Sequence, residues 1–426
     1  MRELVKKESL CREFLGARTT TFKTLESTGR LRDLLAGYFR DLDRAAHEGR
    51  PKIAWCSSVG PAELLISLGF AVFYPENHAA MLGTARQSGR TIPAAHATGY
   101  SPDICSYLTS DIGAFLRRET PLAKAYPGIQ AVPRPDVLVY NNVQCRDIQD
   151  WFAWYGREFG VPVLGIAAPR QIVAVTPDLL AGLAGQLRAL VPPLEAIAGR
   201  RFDIDQLRSV VETSRRGSEL WRRVLEANRA APAPMSFFDA VIQMAPAVVL
   251  RGRPDAPTYY EVLLGELEGR ASRGEGAVDG ERFRLYWEGL PIWGKLRPLA
   301  EFFLGLRTAV VASTYGNSWI FEWGDDDPFL AMARASAGLF IARDEDFKER
   351  YLRDMARRYG IQGFLFHDAK TCPSNSNNRY GLPERLEKTT GIPVLTIYGD
   401  ANDLRCYSEE QTRTAVEAFI ERLEEG

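Results

Sequence analysis

The chain has 426 residues, 46% of them hydrophobic and 25% charged, with a formal net charge of -1. That length exceeds one comfortable core and predicts two or three domains. The near-zero charge excludes a basic field for nucleic acid, although local basic patches would still suit a phosphate-bearing ligand.

Residues 1–9 show no apolar leader region, and the apolar run 64–73 is broken by Gly69. It falls well short of the ~20 residues that a spanning helix needs. A soluble, cytoplasmic protein is expected.

Residues 1–50 predict helix, with Leu31, Leu34, Leu35 and Phe39 at helical spacing. A short strand is expected over 51–56. A turn into a helix follows over 57–63, with Pro61 near its first position. Residues 70–75 predict the next strand, and 76–100 a loop-rich region. A helix opens over 101–105 and runs through Leu116. Strands at 137–140 and 161–166 flank a helical segment at 147–159 and complete a first α/β unit.

Residues 175 to 270 carry long helical periodicity, with Asp203 or Asp205 capping a helix start. Strands return at 284–288, 308–313, 363–366 and 393–398. The expected division is an N-terminal α/β domain with a helical extension (1–174), a helical connector (175–280) and a C-terminal α/β domain (281–426).

One design occurs twice. A buried strand is followed by a cysteine (Cys145, Cys372), a helical segment, a Gly-x-Pro turn at Gly160 or Gly391, and a second buried strand. Ligands of open parallel sheets collect at the carboxyl ends of strands, so both cysteines are expected to face one crevice. Cys105, at a helix start, joins them.

The six cysteines include no Cys-x-x-Cys pair, which excludes a zinc ribbon or a ferredoxin-type cluster. Two readings of Cys105, Cys145 and Cys372 stay open at this point. Buried cysteines commonly serve packing. Thiols at helix N-termini are instead biased towards the thiolate that binds iron or zinc. Cys11, Cys56 and Cys406 read as packing residues, and Asp325-Asp-Asp327 as a solvated turn rather than a metal loop.

Several short stretches, in this order and spacing, resemble the cluster-bearing subunits of the 2-hydroxyacyl-CoA dehydratase and benzoyl-CoA reductase family, the B-type reductase subunit in particular. They are Pro61-Ala-Glu63-Leu-Leu, Phe73-Tyr-Pro-Glu76, Asp103-Ile-Cys105-Ser-Tyr, Arg134-Pro-Asp-Val-Leu, Trp151-Phe, Phe202-Asp-Ile-Asp-Gln-Leu207, Lys370-Thr-Cys372 and Ser408-Glu-Glu-Gln-Thr-Arg413. The resemblance implies two flavodoxin-like (Rossmann-type) domains and a [4Fe-4S] cluster held by Cys105, Cys145 and Cys372. It also implies a homologous second cluster-bearing subunit, a separate ATPase activator that is itself an iron–sulfur protein, and an acyl-CoA substrate. No Walker-type loop occurs in this chain, so ATP is expected to be handled elsewhere. The chain departs from the family in the 373–381 loop, where relatives carry a Gly-Gln pair, and at Asp403-Leu-Arg405 in place of Asp-Pro-Arg.

Reducing or dehydrating an acyl thioester by one electron also needs a proton donor or help for a leaving group. Candidates are Glu63, Glu76, His78 and His96, with Ser57 and Ser58 offering hydroxyls to the thioester oxygen. The expected function is an ATP-driven reductase of an aromatic acyl-CoA. The rivals are a 2-hydroxyacyl-CoA dehydratase and a non-catalytic electron relay.

Overall fold

The computed structural model describes residues 24–324 and 327–425. Among the described residues eight strands form two four-stranded sheets, parallel throughout. The first contains β1 (Ile53–Cys56), β2 (Ala71–Phe73), β3 (Val137–Asn141) and β4 (Val163–Ile166), in the order β2-β1-β3-β4. The second contains β5 (Phe283–Glu288), β6 (Thr308–Ser313), β7 (Gly363–Ala369) and β8 (Val394–Gly399), in the order β6-β5-β7-β8. Both orders are the flavodoxin-like permutation. Each sheet therefore has its switch point between its first and third strands, where a crevice opens at the carboxyl ends.

The strands are apolar because helices cover both faces of such sheets. Every residue of β1 and β6 is buried. The crossover helices after β3 and β7 end alike: Gly160 (φ 64°) and Gly391 (φ 72°) take the left-handed conformation that closes a helix without a Cβ clash. The Gly-x-Pro turns of the sequence thus mark two equivalent helix-to-strand corners.

Six helices between Pro177 and Ser272 connect the sheets. Asp203, rather than Asp205, caps the long Ile204–Glu226 helix by accepting from the Asp205 and Gln206 amides. The segment after β6 packs away from its own sheet. Trp319, Phe321, Trp323, Phe329 and Met332 share a core with Trp55 and Trp151 of the first half, so the two halves are tied by interdigitated aromatic packing.

Two local expectations change. Residues 76–100 are helical, forming Pro75–Thr84 and Ser88–His96. Their buried faces rest on small residues such as Ala79, Ala80, Gly83 and Ala95, which leave a weak periodic signal. A Cβ on Gly83 would collide with the Asn402 side chain, so a small residue is required there. The helix expected to open over 101–105 begins at Ser106.

Helix is observed over Ser27–Glu48, whereas Cys11 and the helix expected before residue 24 lie outside the described residues. Asp325 and Asp326 also lie outside them. Asp327 caps the Pro328–Ala337 helix and pairs with Arg188 at 2.7 Å. No helix among the described residues is long and apolar enough to cross a membrane.

Candidate functional site

Cys145 lies just past β3 and Cys372 just past β7, at the carboxyl end of the third strand of each sheet. Cys105 is the N-cap of the Ser106–Arg117 helix, in the connection from β2 to β3. All three thiols are free, and all three line one cavity of about 1450 Å³.

Hydrogen bonds register these segments against one another. The Cys105 amide donates to Asp147 Oδ2 at 3.3 Å, which ties it to the segment that follows Cys145. The Ser106 amide donates to Thr371 Oγ1 at 2.9 Å, which ties it to the residue before Cys372. Thr371 in turn donates through its hydroxyl (2.7 Å) and its amide (2.8 Å) to Asp400 Oδ2, at the carboxyl end of β8. Each sulfur also faces a backbone N–H three residues further on: Leu108, Ile148 and Asn375 respectively.

Contrary to the expectation from helix dipoles, burial pushes all three thiols up, Cys372 to about 11. Desolvation of the thiolate outweighs the amide hydrogen bonds. Neighbouring sulfurs add to the rise, Cys372 and Cys145 acting on Cys105 and Cys372 acting on Cys145. Such thiols ionise when a cation replaces their protons. Among the described residues no three His, Cys, Asp or Glu side chains close on a point that would hold a single metal ion. A cubane spreads its thiolates one to an iron, and three thiols around one cavity are the donor set it takes while leaving an iron without a protein ligand.

The other predicted residues separate into two groups. Ser58 and Glu76 line the cavity with the thiols. The Ser58 amide donates to Glu76 Oε2 at 2.5 Å, and Gln144 donates to Glu76 Oε1. Burial nevertheless raises the Glu76 carboxyl above the usual carboxylate range.

The remaining four are absent from the cavity lining. Ser57 is fully buried and accepts from the Asn141 amide at 3.0 Å. Glu63 forms an ion pair with Arg251 at 2.9 Å and accepts from Ser214 at 2.8 Å. His78 sits in a polar hub, 2.5 Å from Asp111 and 2.9 Å from Thr120; Trp151 and Tyr155 also donate to Asp111. His96 is half-buried at the end of its helix. Cys56 packs in the first core, and Cys406 is a half-buried free thiol.

Sequence reasoning left several residues unassigned. Arg251 donates to the Ser58 and Gly60 carbonyls at 2.8 and 2.6 Å and so clamps the turn that carries Ser58. Its signal was a single arginine closing the apolar run 245–250. Asp400 stands at a strand's carboxyl end, the position where such sheets bind. Tyr107 accepts from Trp293, and both line the cavity with Tyr315 and Trp319.

Glu288 ends β5 fully buried, accepting from Thr314 and Asn377. Burial, only partly offset by those bonds and by Lys348, raises its carboxyl to about 7. A folded-state value above the unfolded 4.5 means that the folded chain holds this proton more tightly. Stability from this group is therefore full below the unfolded value and falls as pH rises towards 7, then levels off. At ~1.4 kcal/mol per pH unit the fall amounts to about 3 kcal/mol. Glu288→Gln is expected to flatten that part of the profile in urea unfolding at pH 5 and pH 8. Equal slopes for the two proteins would show that Glu288 is ionised in the fold.

Two parallel α/β halves of one strand order, sharing a thiol-lined apolar cavity, define the class: a two-lobed protein built around a site between duplicated sheets. Residues 57–423 match the family model described as 2-hydroxyglutaryl-CoA dehydratase, D-component, and the chain belongs to that family. It is 27% identical to the lactoyl-CoA dehydratase subunit alpha of Anaerotignum propionicum, over 92% of this chain and 96% of that one. It is 29% identical to the (R)-phenyllactyl-CoA dehydratase alpha subunit of Clostridium sporogenes, over 88% and 90% of the two chains. With the B subunit of the Thauera aromatica benzoyl-CoA reductase it shares 27% identity over 92% and 94%.

Proposed function

We propose that this chain is the [4Fe-4S]-bearing subunit of an ATP-driven acyl-CoA reductase whose substrate is an aromatic acyl-CoA. Cys105, Cys145 and Cys372 are the three protein ligands in this reading. The observation that carries it is the convergence of these thiols, from three separate segments, on one cavity lined by Trp151, Trp293, Trp319, Tyr107 and Tyr315. When bound, the cluster supplies single electrons of low potential beside the acyl group.

The chain's own residues do the rest. The aromatic lining excludes water, which would otherwise protonate a reduced acyl group at random. Glu76, whose carboxyl burial raises above the usual carboxylate range, stands at the cavity wall where a proton donor is needed. The Ser58 amide and Gln144 fix the orientation of that carboxyl.

The names of the relatives, alpha or B subunits, support pairing with a homologous second subunit. A separate ATPase activator feeds the electrons, and the complex is cytoplasmic. The second reading is a 2-hydroxyacyl-CoA dehydratase subunit, favoured by the dehydratase names of the lactoyl- and phenyllactyl-CoA relatives.

The test uses the anaerobically purified complex with its activator and a reductant. One cluster per chain is expected, lost when Cys105, Cys145 or Cys372 is replaced by alanine, and benzoyl-CoA should give a dearomatised product. Water loss from a 2-hydroxyacyl-CoA, without ring reduction, would move the chain to the second reading. Protein free of iron after reconstitution would end both.

A further inference from the structure

The three thiols are alike in one respect and differ in another. Each faces the backbone N–H three residues on. Cys372 receives a side-chain donor as well: Asn375 Nδ2 lies 3.8 Å from its sulfur, within hydrogen-bond range for sulfur. The Asn375 amide donates to the Cys372 carbonyl at 3.2 Å, which holds the side-chain donor against the sulfur. Among the described residues neither Cys105 nor Cys145 is given a side-chain donor of this kind.

The loop holding Asn375 is pinned on both sides. Ser376 donates to the carbonyls of Ala369 and Cys372, each at 2.9 Å. Asn377 donates to the buried Glu288 and accepts from Lys348 Nζ at 3.0 Å. Gly289, at φ 98°, passes so close that a Cβ there would meet the His367 carbonyl at 2.7 Å and the Asn375 carbonyl at 3.3 Å. Asn375 is therefore fixed by packing at the cavity wall.

From this geometry we infer that Asn375 raises the reduction potential of the cluster, a role that rests on reading Cys105, Cys145 and Cys372 as its ligands. One electron from an external low-potential reductant converts the oxidised cluster to the reduced one, with no bond made or broken. The added charge spreads onto the thiolate sulfurs. An N–H donor binds the more negative sulfur more strongly, which favours the reduced form. The carboxylates facing the site (Asp147 and Asp400) act in the opposite direction. Asn375 offsets them with a dipole that adds no charge, as groups behind a ligand commonly tune a metal centre.

The experiment is an EPR-monitored redox titration of the iron-loaded protein, with iron content measured first. Asn375→Ala, which removes the donor, is expected to keep its iron and to titrate at lower potential. At fixed potential its ratio of reduced to oxidised cluster should fall about tenfold, equivalent to about 59 mV. Asn375→Asp, which puts an anionic acceptor in the same place, should shift further in the same direction. Unchanged potentials in both variants, with iron retained, would overturn the role of Asn375 and leave the ligand reading standing. Loss of iron from Asn375→Ala would also overturn it, because the side chain would then hold the ligand rather than tune it. Wild-type protein that takes up no cluster would remove the ligand reading itself.

Discussion

Arg251→Met is expected to destabilise the protein by about 3–5 kcal/mol, the cost of leaving one member of a buried ion pair unpartnered. Arg251 and Glu63 have side chains only 4% and 3% exposed, and their charged atoms meet at 2.9 Å. The guanidinium also lies over the Phe321 ring, 4.8 Å from its centroid, and holds two carbonyls of the Ser58 turn. Without it, Glu63 keeps among the described residues only the Ser214 hydroxyl, and the turn whose amide orients Glu76 loses its clamp. Such a loss is a large part of the 5–15 kcal/mol typical of a folded protein. Urea unfolding at neutral pH measures it. The double variant Arg251→Met with Glu63→Leu, which removes both charges, should recover more than half of the loss. A single-variant effect below about 1 kcal/mol, the size expected of an exposed pair, would mean that water reaches this site.

The second large effect concerns Thr371. On the reading of the three cysteines as cluster ligands, Thr371→Val should weaken iron retention by about 10- to 100-fold, the range seen when a group behind a metal ligand is removed. The Thr371 hydroxyl accepts from the Ser106 amide and donates to Asp400, so one oxygen joins the Cys105 segment to the Cys372 segment. Valine keeps the shape and leaves the buried Ser106 amide without its acceptor, at about 1–3 kcal/mol. Iron transfer to a chelator under anaerobic conditions reads the effect, and Thr371→Ser should restore retention. If Thr371→Val releases iron at the wild-type rate, the positioning role assigned to this hydroxyl is wrong.

Much of the architecture was legible before the fold was known. The alternation of buried strands with amphipathic helices, and the repeated strand, cysteine, helix and Gly-x-Pro turn, arise from backbone hydrogen bonding and local packing. The short helices over 76–100 escaped because alanine and glycine form their buried faces, and a small residue at a contact site leaves little trace in a hydrophobicity pattern. The site divided along the same line. Cys145 and Cys372 were marked by their places after strands, whereas nothing local told Glu63, in an expected first helical turn, from Glu76, on an expected loop after a strand, as the one that reaches the cavity.

By itself the sequence determined two sheets of one kind, the placing of a cysteine beyond a strand in each, and the family resemblance from which three cysteines are proposed as ligands. Only the tertiary structure decided which polar groups reach the cavity. Glu63 was turned inward to Arg251, His78 to Asp111, and Glu76 to the wall beside the thiols. Local pattern encodes interactions within a turn of helix or a strand's width. The partner of a buried charge, or the 265-residue reach from Ser106 to Thr371, exists only once distant segments have packed.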